Sequence, residues 1–206
     1  SGIIDVSTST PGTYSVTYIT AGTCTNSSSV SVTINALGNT SFSYGAAAFC
    51  ADAADPTPTI TGLTGGTFSS TGGLSITAVT GVIDVSASTP GNYIVTYADV
   101  DTCSNSSSIS VTINALGNAS FSYGATAYCA DTADPTPTIT GLSGGTFSST
   151  GGLSIIPSSG IIDISTSTPG TYLVTYTTVG SCPNSSSVSV TINALGNASF
   201  SYGAAA

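Results

Sequence analysis

The sequence predicts an all-β chain of tandem sandwich domains, and three observations carry that prediction. Tyr14, Tyr93 and Tyr172 recur at a spacing of 79 residues inside one phrase, written STPGTYSVTY from Ser9, STPGNYIVTY from Ser88 and STPGTYLVTY from Ser167. A fixed period without insertions marks tandem units, and units of this length are small domains in their own right. The hydrophobic residues, 40% of the chain, are largely Val, Ile, Ala and Tyr set among Ser, Thr and Gly, a mixture that favours strands. Within the phrase itself the alternation places Tyr172, Val174 and Tyr176 on one face and Thr171, Leu173 and Thr175 on the other.

Each element follows from local signals. Pro169 and Gly170 after Ser-Thr make a β-turn that enters a strand. A tyrosine just past such a corner, opening a late strand, is the arrangement of the tyrosine corner in immunoglobulin-like sandwiches. Residues 1–37 read as the C-terminal part of one Ig-like repeat, with strands at Gly2–Val6, Tyr14–Tyr18 and Val30–Ile34. Residues 38–116 and 117–195 are complete repeats, and 196–206 begin another, so the chain reads as a segment of a longer repetitive protein. In the first complete repeat the Asp55-Pro-Thr-Pro58 segment demands an extended or edge entry to the strand at Thr59–Thr61. Short strands follow at Thr67–Ser70, Leu74–Ile76 and Gly81–Val85, at the interval expected of a Greek-key sandwich of about seven strands. Tyr93, Val95, Tyr97, Tyr172, Val174 and Tyr176 are expected to face the cores, with Val111 and Ile113 opposite them in the last strand.

The junctions are short. Ala36-Leu37-Gly38-Asn39 returns as residues 115–118 and 194–197 and leaves little room for a flexible linker, which predicts an extended rod. The rise per domain would be roughly 35–45 Å for strands lying near the axis. Leu37, Leu116 and Leu195 stand in otherwise small, polar junctions and are expected to pack between successive domains.

Composition removes whole classes of function. There is no Lys, Arg or His, and the formal charge of −9 comes from nine Asp. A chain without cationic side chains cannot neutralise phosphates or hold anionic lipid, so neither nucleic acid nor a membrane surface is expected as a partner. No apolar run reaches the length of a spanning helix, and no membrane insertion is expected. General acid–base catalysis has no His, Lys, Arg or Glu to complement an Asp, which predicts a non-enzyme without a cofactor. Asp52, Asp55, Asp131 and Asp134 are weak calcium candidates, because oxygen ligands suit Ca²⁺, although Asp before Pro is also ordinary turn chemistry. Asn26, Asn105 and Asn184 match the glycosylation acceptor pattern, as do Asn39, Asn118 and Asn197.

Five cysteines remain. Cys50 and Cys103 share one repeat, Cys129 and Cys182 the next, and Cys24 occupies the position of Cys103 without an upstream partner. The favoured pairing is therefore Cys50–Cys103 and Cys129–Cys182, with the partner of Cys24 outside the segment. The alternative joins Cys24–Cys50 and Cys103–Cys129 across junctions, since connectivity does not follow from sequence. Either arrangement implies an oxidising, extracellular setting.

The combination Tyr128-Cys129, the string GGTFSSTGGLSI from Gly144, Gly160-Ile-Ile-Asp163 and STPGTY from Ser167 resembles the Ig-like/PKD-like tandem repeats of giant Bacteroidetes cell-surface proteins, the SprB-type gliding adhesins. The resemblance runs over the whole chain. It implies export by the type IX system, display on the bacterial cell surface, and a stalk or adhesive fibre serving adhesion and gliding motility. The implied partners are neighbouring repeats, with self-association into filaments or contact with surface polysaccharide. The competing reading is a structural subunit of a self-assembling extracellular fibre or surface layer, favoured by edge strands that carry almost no protecting charge.

Overall fold

The computed structural model describes residues 2–100 and 102–203, and the chain divides into two compact units. One comprises Ser1–Phe49 and Ala53–Ile113; the other comprises Cys50–Asp52 and Asn114–Ala206. Every regular element among the described residues is a strand.

The first unit opens with a hairpin of β1 (Gly12–Ile19) and β2 (Ser27–Ile34). A sandwich follows, made of β3 (Phe42–Ser43), β4 (Ala48–Cys50, whose last residue falls in the other unit), β5 (Thr59–Ile60), β6 (Thr67–Ser70), β7 (Ser75–Ile76), β8 (Ile83–Asp84), β9 (Gly91–Ala98) and β10 (Ser106–Asn114). The second unit repeats this series with β11 (Phe121–Ser122), β12 (Ala127–Cys129), β13 (Thr138–Ile139), β14 (Thr146–Ser149), β15 (Ser154–Ile155), β16 (Ile162–Asp163), β17 (Gly170–Thr177) and β18 (Ser185–Asn193).

Sheet order identifies the architecture. In the second unit four strands run β12-β18-β17-β14, while β11-β13 and β15-β16 form the opposing ribbons. β12 joins β18 in parallel and all other ladders of the unit are antiparallel. An initial strand split between two sheets, its second half parallel to the last strand, gives the immunoglobulin-type sandwich, and the first unit shows the same order β4-β10-β9-β6 with β3-β5 and β7-β8. The chain is thus all-β, with tandem sandwich repeats.

The cores lie where alternation placed them. Tyr172, Val174 and Tyr176 are 6%, 0% and 0% exposed, and Tyr93, Val95 and Tyr97 match them. Tyr93 stands opposite Val111 in the β9–β10 ladder, and both Val111 and Ile113 are buried. Phe121, Phe147 and Tyr176 interlock, with ring centroids 5.3 Å apart for the first pair and 4.6 Å for the second. Each such side chain, fully removed from water, contributes about 1.5–3 kcal/mol. The tyrosine corner forms as expected: the Tyr172 hydroxyl donates to the Thr168 carbonyl at 2.6 Å, and Tyr93 does the same to Thr89.

A second tyrosine closes each sandwich from the far side. Tyr44 donates to the carbonyl of Gly81, and Tyr123 to that of Gly160, both at 2.5 Å. Gly81 and Gly160 hold φ of +71° and +73°, and a Cβ on either would meet a Phe ring and a Pro ring at 2.7–2.8 Å. Only glycine fits that corner. The Asp-Pro segments serve the same closure, because Asp55 accepts from the Val85 amide and Asp134 from the Ile164 amide.

One expected strand is absent. Residues 2–6 form no ladder, although their counterparts β8 and β16 pair with β7 and β15. A strand of that length needs a neighbour for its backbone groups, and among the described residues none lies beside it.

Candidate functional site

The chemistry of this chain concentrates where one sequence repeat passes into the next, in the segment Asn114-Ala115-Leu116-Gly117. β4 delivers Cys50 to the exit of β10, and the Ala51 amide donates to the Asn114 carbonyl at 3.0 Å. The loop between β17 and β18 supplies Cys182, whose carbonyl accepts from the Gly117 amide at 2.9 Å. The two cysteines form a disulfide with Cα atoms 5.5 Å apart and a sequence separation of 132. Both lie in the second compact unit, although by sequence they belong to successive repeats.

This overturns the expected pairings. Cys103, Cys129 and Cys24 are free, so neither Cys50–Cys103 with Cys129–Cys182 nor Cys24–Cys50 with Cys103–Cys129 exists. The reason is the parallel ladder. Cys129 stands opposite Asn193 at the end of β18, whereas Cys182 precedes the start of that strand. Nine residues of strand separate the two ends, roughly 30 Å, far beyond disulfide reach. The same geometry separates Cys50 from Cys103 across β10.

Glycine, not leucine, seats the junction. Leu37 and Leu195 are 69% and 58% exposed, and Leu116 is half-buried. Gly117 instead lies so close to Thr178 that a Cβ would stand 2.3 Å from its hydroxyl, and Gly38 is pressed in the same way against Asp99 and Leu63.

The asparagine candidates differ in what they do. Asn105 donates through Nδ2 to the Gly38 carbonyl at 2.7 Å, so its amide nitrogen is committed to the junction. Asn26 is exposed and Asn184 half-buried, and each uses Oδ1 to cap the following amide. The calcium candidates do not converge: Asp52 and Asp131 are exposed, Asp55 and Asp134 are tied to backbone amides, and no three His, Cys, Asp or Glu side chains gather as metal ligands among the described residues. Asp84 and Asp163 are held below the usual carboxylate range by hydrogen bonds, the largest from the side chains of Ser86 and Ser165.

No family model and no curated protein matches the chain. Among solved structures it is similar to mouse cadherin-23 EC22-24, at 15% identity and a TM-score of 0.36 over 93% of this chain and 77% of that one. A second similar structure is the protocadherin gammaB7 EC3-6 cis-dimer, at 12% identity and a TM-score of 0.36 over 93% and 60%.

The remaining surface of interest is the β1–β2 hairpin. Its register, Tyr14 opposite Val32 and Val16 opposite Val30, copies that of Tyr172 with Val190 and Val174 with Val188. Yet Tyr14 is 41% and Tyr18 71% exposed where their counterparts are buried. A groove of about 390 Å³ runs along it, lined in part by Ile4, Tyr14, Val16, Val32 and Ile34. Sequence reasoning did not single this face out, since its alternation is that of any sandwich strand.

Proposed function

We propose that the chain is a non-catalytic, load-bearing repeat segment of an extracellular surface adhesin or surface filament. The observation that supports this best is the Cys50–Cys182 bridge, which ties one sequence repeat covalently to the next. A bridge closing so long a loop can add roughly 5 kcal/mol by the loop-entropy relation, and it keeps the enclosed segment from extending under tension. Such a bond persists in an oxidising compartment, which supports an extracellular location. The resemblance to gliding-adhesin repeats extends the reading to the bacterial cell surface, type IX export, and adhesion or gliding. Neighbouring repeats are the first partners, with surface polysaccharide as a further contact.

Antibodies raised against the chain test the reading on intact source cells. They should label unpermeabilised cells and reduce their attachment to a surface. Labelling only after permeabilisation would overturn it.

A second reading, a subunit of a self-assembling extracellular fibre or surface layer, is favoured by edge strands that carry almost no protecting charge. Electron microscopy of the purified chain separates the two, since fibres of regular repeat belong to the second alone.

A further inference from the structure

The Cys50–Cys182 bridge is built from two half-sites, and each half-site recurs with the repeat. The first is the exit of the second strand. Beside Cys50 the Ala51 amide donates to the Asn114 carbonyl at 3.0 Å, and 79 residues on, beside Cys129, the Ala130 amide donates to the Asn193 carbonyl at the same 3.0 Å. The second half-site is the loop before the last strand. The Thr178 amide closes the loop of Cys182 on the Asn184 carbonyl at 2.8 Å, and the Asp99 and Thr20 amides close those of Cys103 and Cys24 on Asn105 and Asn26 at 3.0 and 2.9 Å. Backbone bonds set both geometries, so neither depends on the side chains that differ between repeats.

We infer that the bridge is a property of the repeat: it forms at each junction between complete repeats, from the second-strand cysteine of one to the late-loop cysteine of the next. Successive bridges then interlock. A bridge spans 132 positions while the repeat advances by only 79, so Cys129, which opens the next bridge, lies inside the loop closed by Cys50 and Cys182. Tension entering at Cys50 crosses the sulfurs to Cys182 and leaves along the chain toward the next second-strand cysteine of the array. By the repeat, that residue stands 26 positions further on, the separation of Cys103 from Cys129, and it belongs two repeats beyond Cys50. An array therefore has 26 residues of load-bearing chain for every two repeats, roughly 90 Å when fully extended. Two folded sandwiches with strands near the axis would span a similar roughly 70–90 Å. Unfolding adds almost nothing to the length of such an array while its bridges hold.

Each bond forms by exchange with a small disulfide. One thiolate attacks glutathione disulfide and releases a glutathione thiolate, and the second thiolate attacks the mixed disulfide and releases the other. Two protein thiols lose their protons and two electrons as one glutathione disulfide becomes two glutathiones. The inference rests on the load-bearing reading above and deepens it. That reading needs only the bridge already observed, so it survives if no further bridge forms.

The test is a chain lengthened by two repeats, with residues 117–195 written twice more after Leu195, oxidised in a glutathione buffer beside the unaltered chain. The unaltered chain should titrate three free thiols, those of Cys24, Cys103 and Cys129. The lengthened chain carries four more cysteines and should still titrate three. In single-molecule stretching its fully extended length should exceed that of the unaltered chain by 26 residues, roughly 90 Å, before reduction and by 158 residues, roughly 550 Å, after it. Cys103→Ser in the lengthened chain should remove one free thiol and leave both lengths unchanged. Seven free thiols, or an oxidised chain that gains the full 158 residues, would confine the bridge to Cys50 and Cys182 and overturn the inference. A single free thiol would mean bridges within repeats and would overturn it equally. The load-bearing reading fails separately, on any count other than three in the unaltered chain.

Discussion

Asp99 holds, in the first complete repeat, the place that Thr20 and Thr178 hold in the others. Thr178 fits that place fully: its hydroxyl accepts from the Asn184 amide at 2.8 Å and donates to the Asn184 carbonyl at 3.2 Å. Asp99 accepts from the Asn105 amide through Oδ1, but its Oδ2 is buried against Gly38 without a partner. An orphaned buried oxygen costs about 1–3 kcal/mol. Asp99→Thr should therefore raise the midpoint of urea unfolding by an amount within that range; a lower midpoint would mean that the carboxylate has a partner role. Tyr44 offers a pH test at the same scale. Burial pushes its hydroxyl from the ordinary 10.0 up to about 12, and it moves Tyr123 in the same direction. The neutral, hydrogen-bonded form is the one the fold favours, so this stabilisation is complete below pH 10 and is lost as pH rises through about 12. Denaturant midpoints measured across that window should fall, and Tyr44→Phe should flatten the fall.

At the scale of elements, the last two strands of each repeat are organised by the tyrosine corner. Tyr172→Phe removes the donor to Thr168 and the bond to its side-chain hydroxyl, and should cost about 1–2 kcal/mol in equilibrium unfolding. The equivalent change at Tyr14, whose ring is 41% exposed, should cost distinctly less. These strands were legible in the sequence because period-two alternation and a Pro-Gly corner are local, and a local signal survives whatever the rest of the chain does. Residues 2–6 show the converse, since a strand exists only with a neighbour and alternation is silent about neighbours. The staple was hidden for a related reason. Cys50 and Cys103 share a repeat, and sequence proximity favours their pairing, but the parallel seating of the second strand against the last sends the two to opposite ends of β10. Had that ladder been inferred from Ala-Phe-Cys and Ala-Tyr-Cys recurring ahead of each Asp-Pro segment, the spacing alone would have ruled out the bridge within a repeat.

For the whole molecule the bridge sets how much chain can be drawn out by force. With Cys50–Cys182 intact, the residues between those positions lie inside a closed loop and cannot contribute to the distance between the ends. Reduction frees them. The bridge spans 132 residues in sequence, so at roughly 3.5 Å per extended residue the fully unfolded chain should lengthen by about 450 Å when the disulfide is reduced. Single-molecule stretching with and without a reductant measures this directly. Cys182→Ser should show the long contour in both conditions, and Cys103→Ser should remain short until reduced, since Cys103 is free. The favoured intra-repeat pairings would shorten the unreduced chain by two smaller loops, and Cys103→Ser would then release one of them. A contour that responds to Cys103 therefore decides against the staple, and with it against the load-bearing role built upon it.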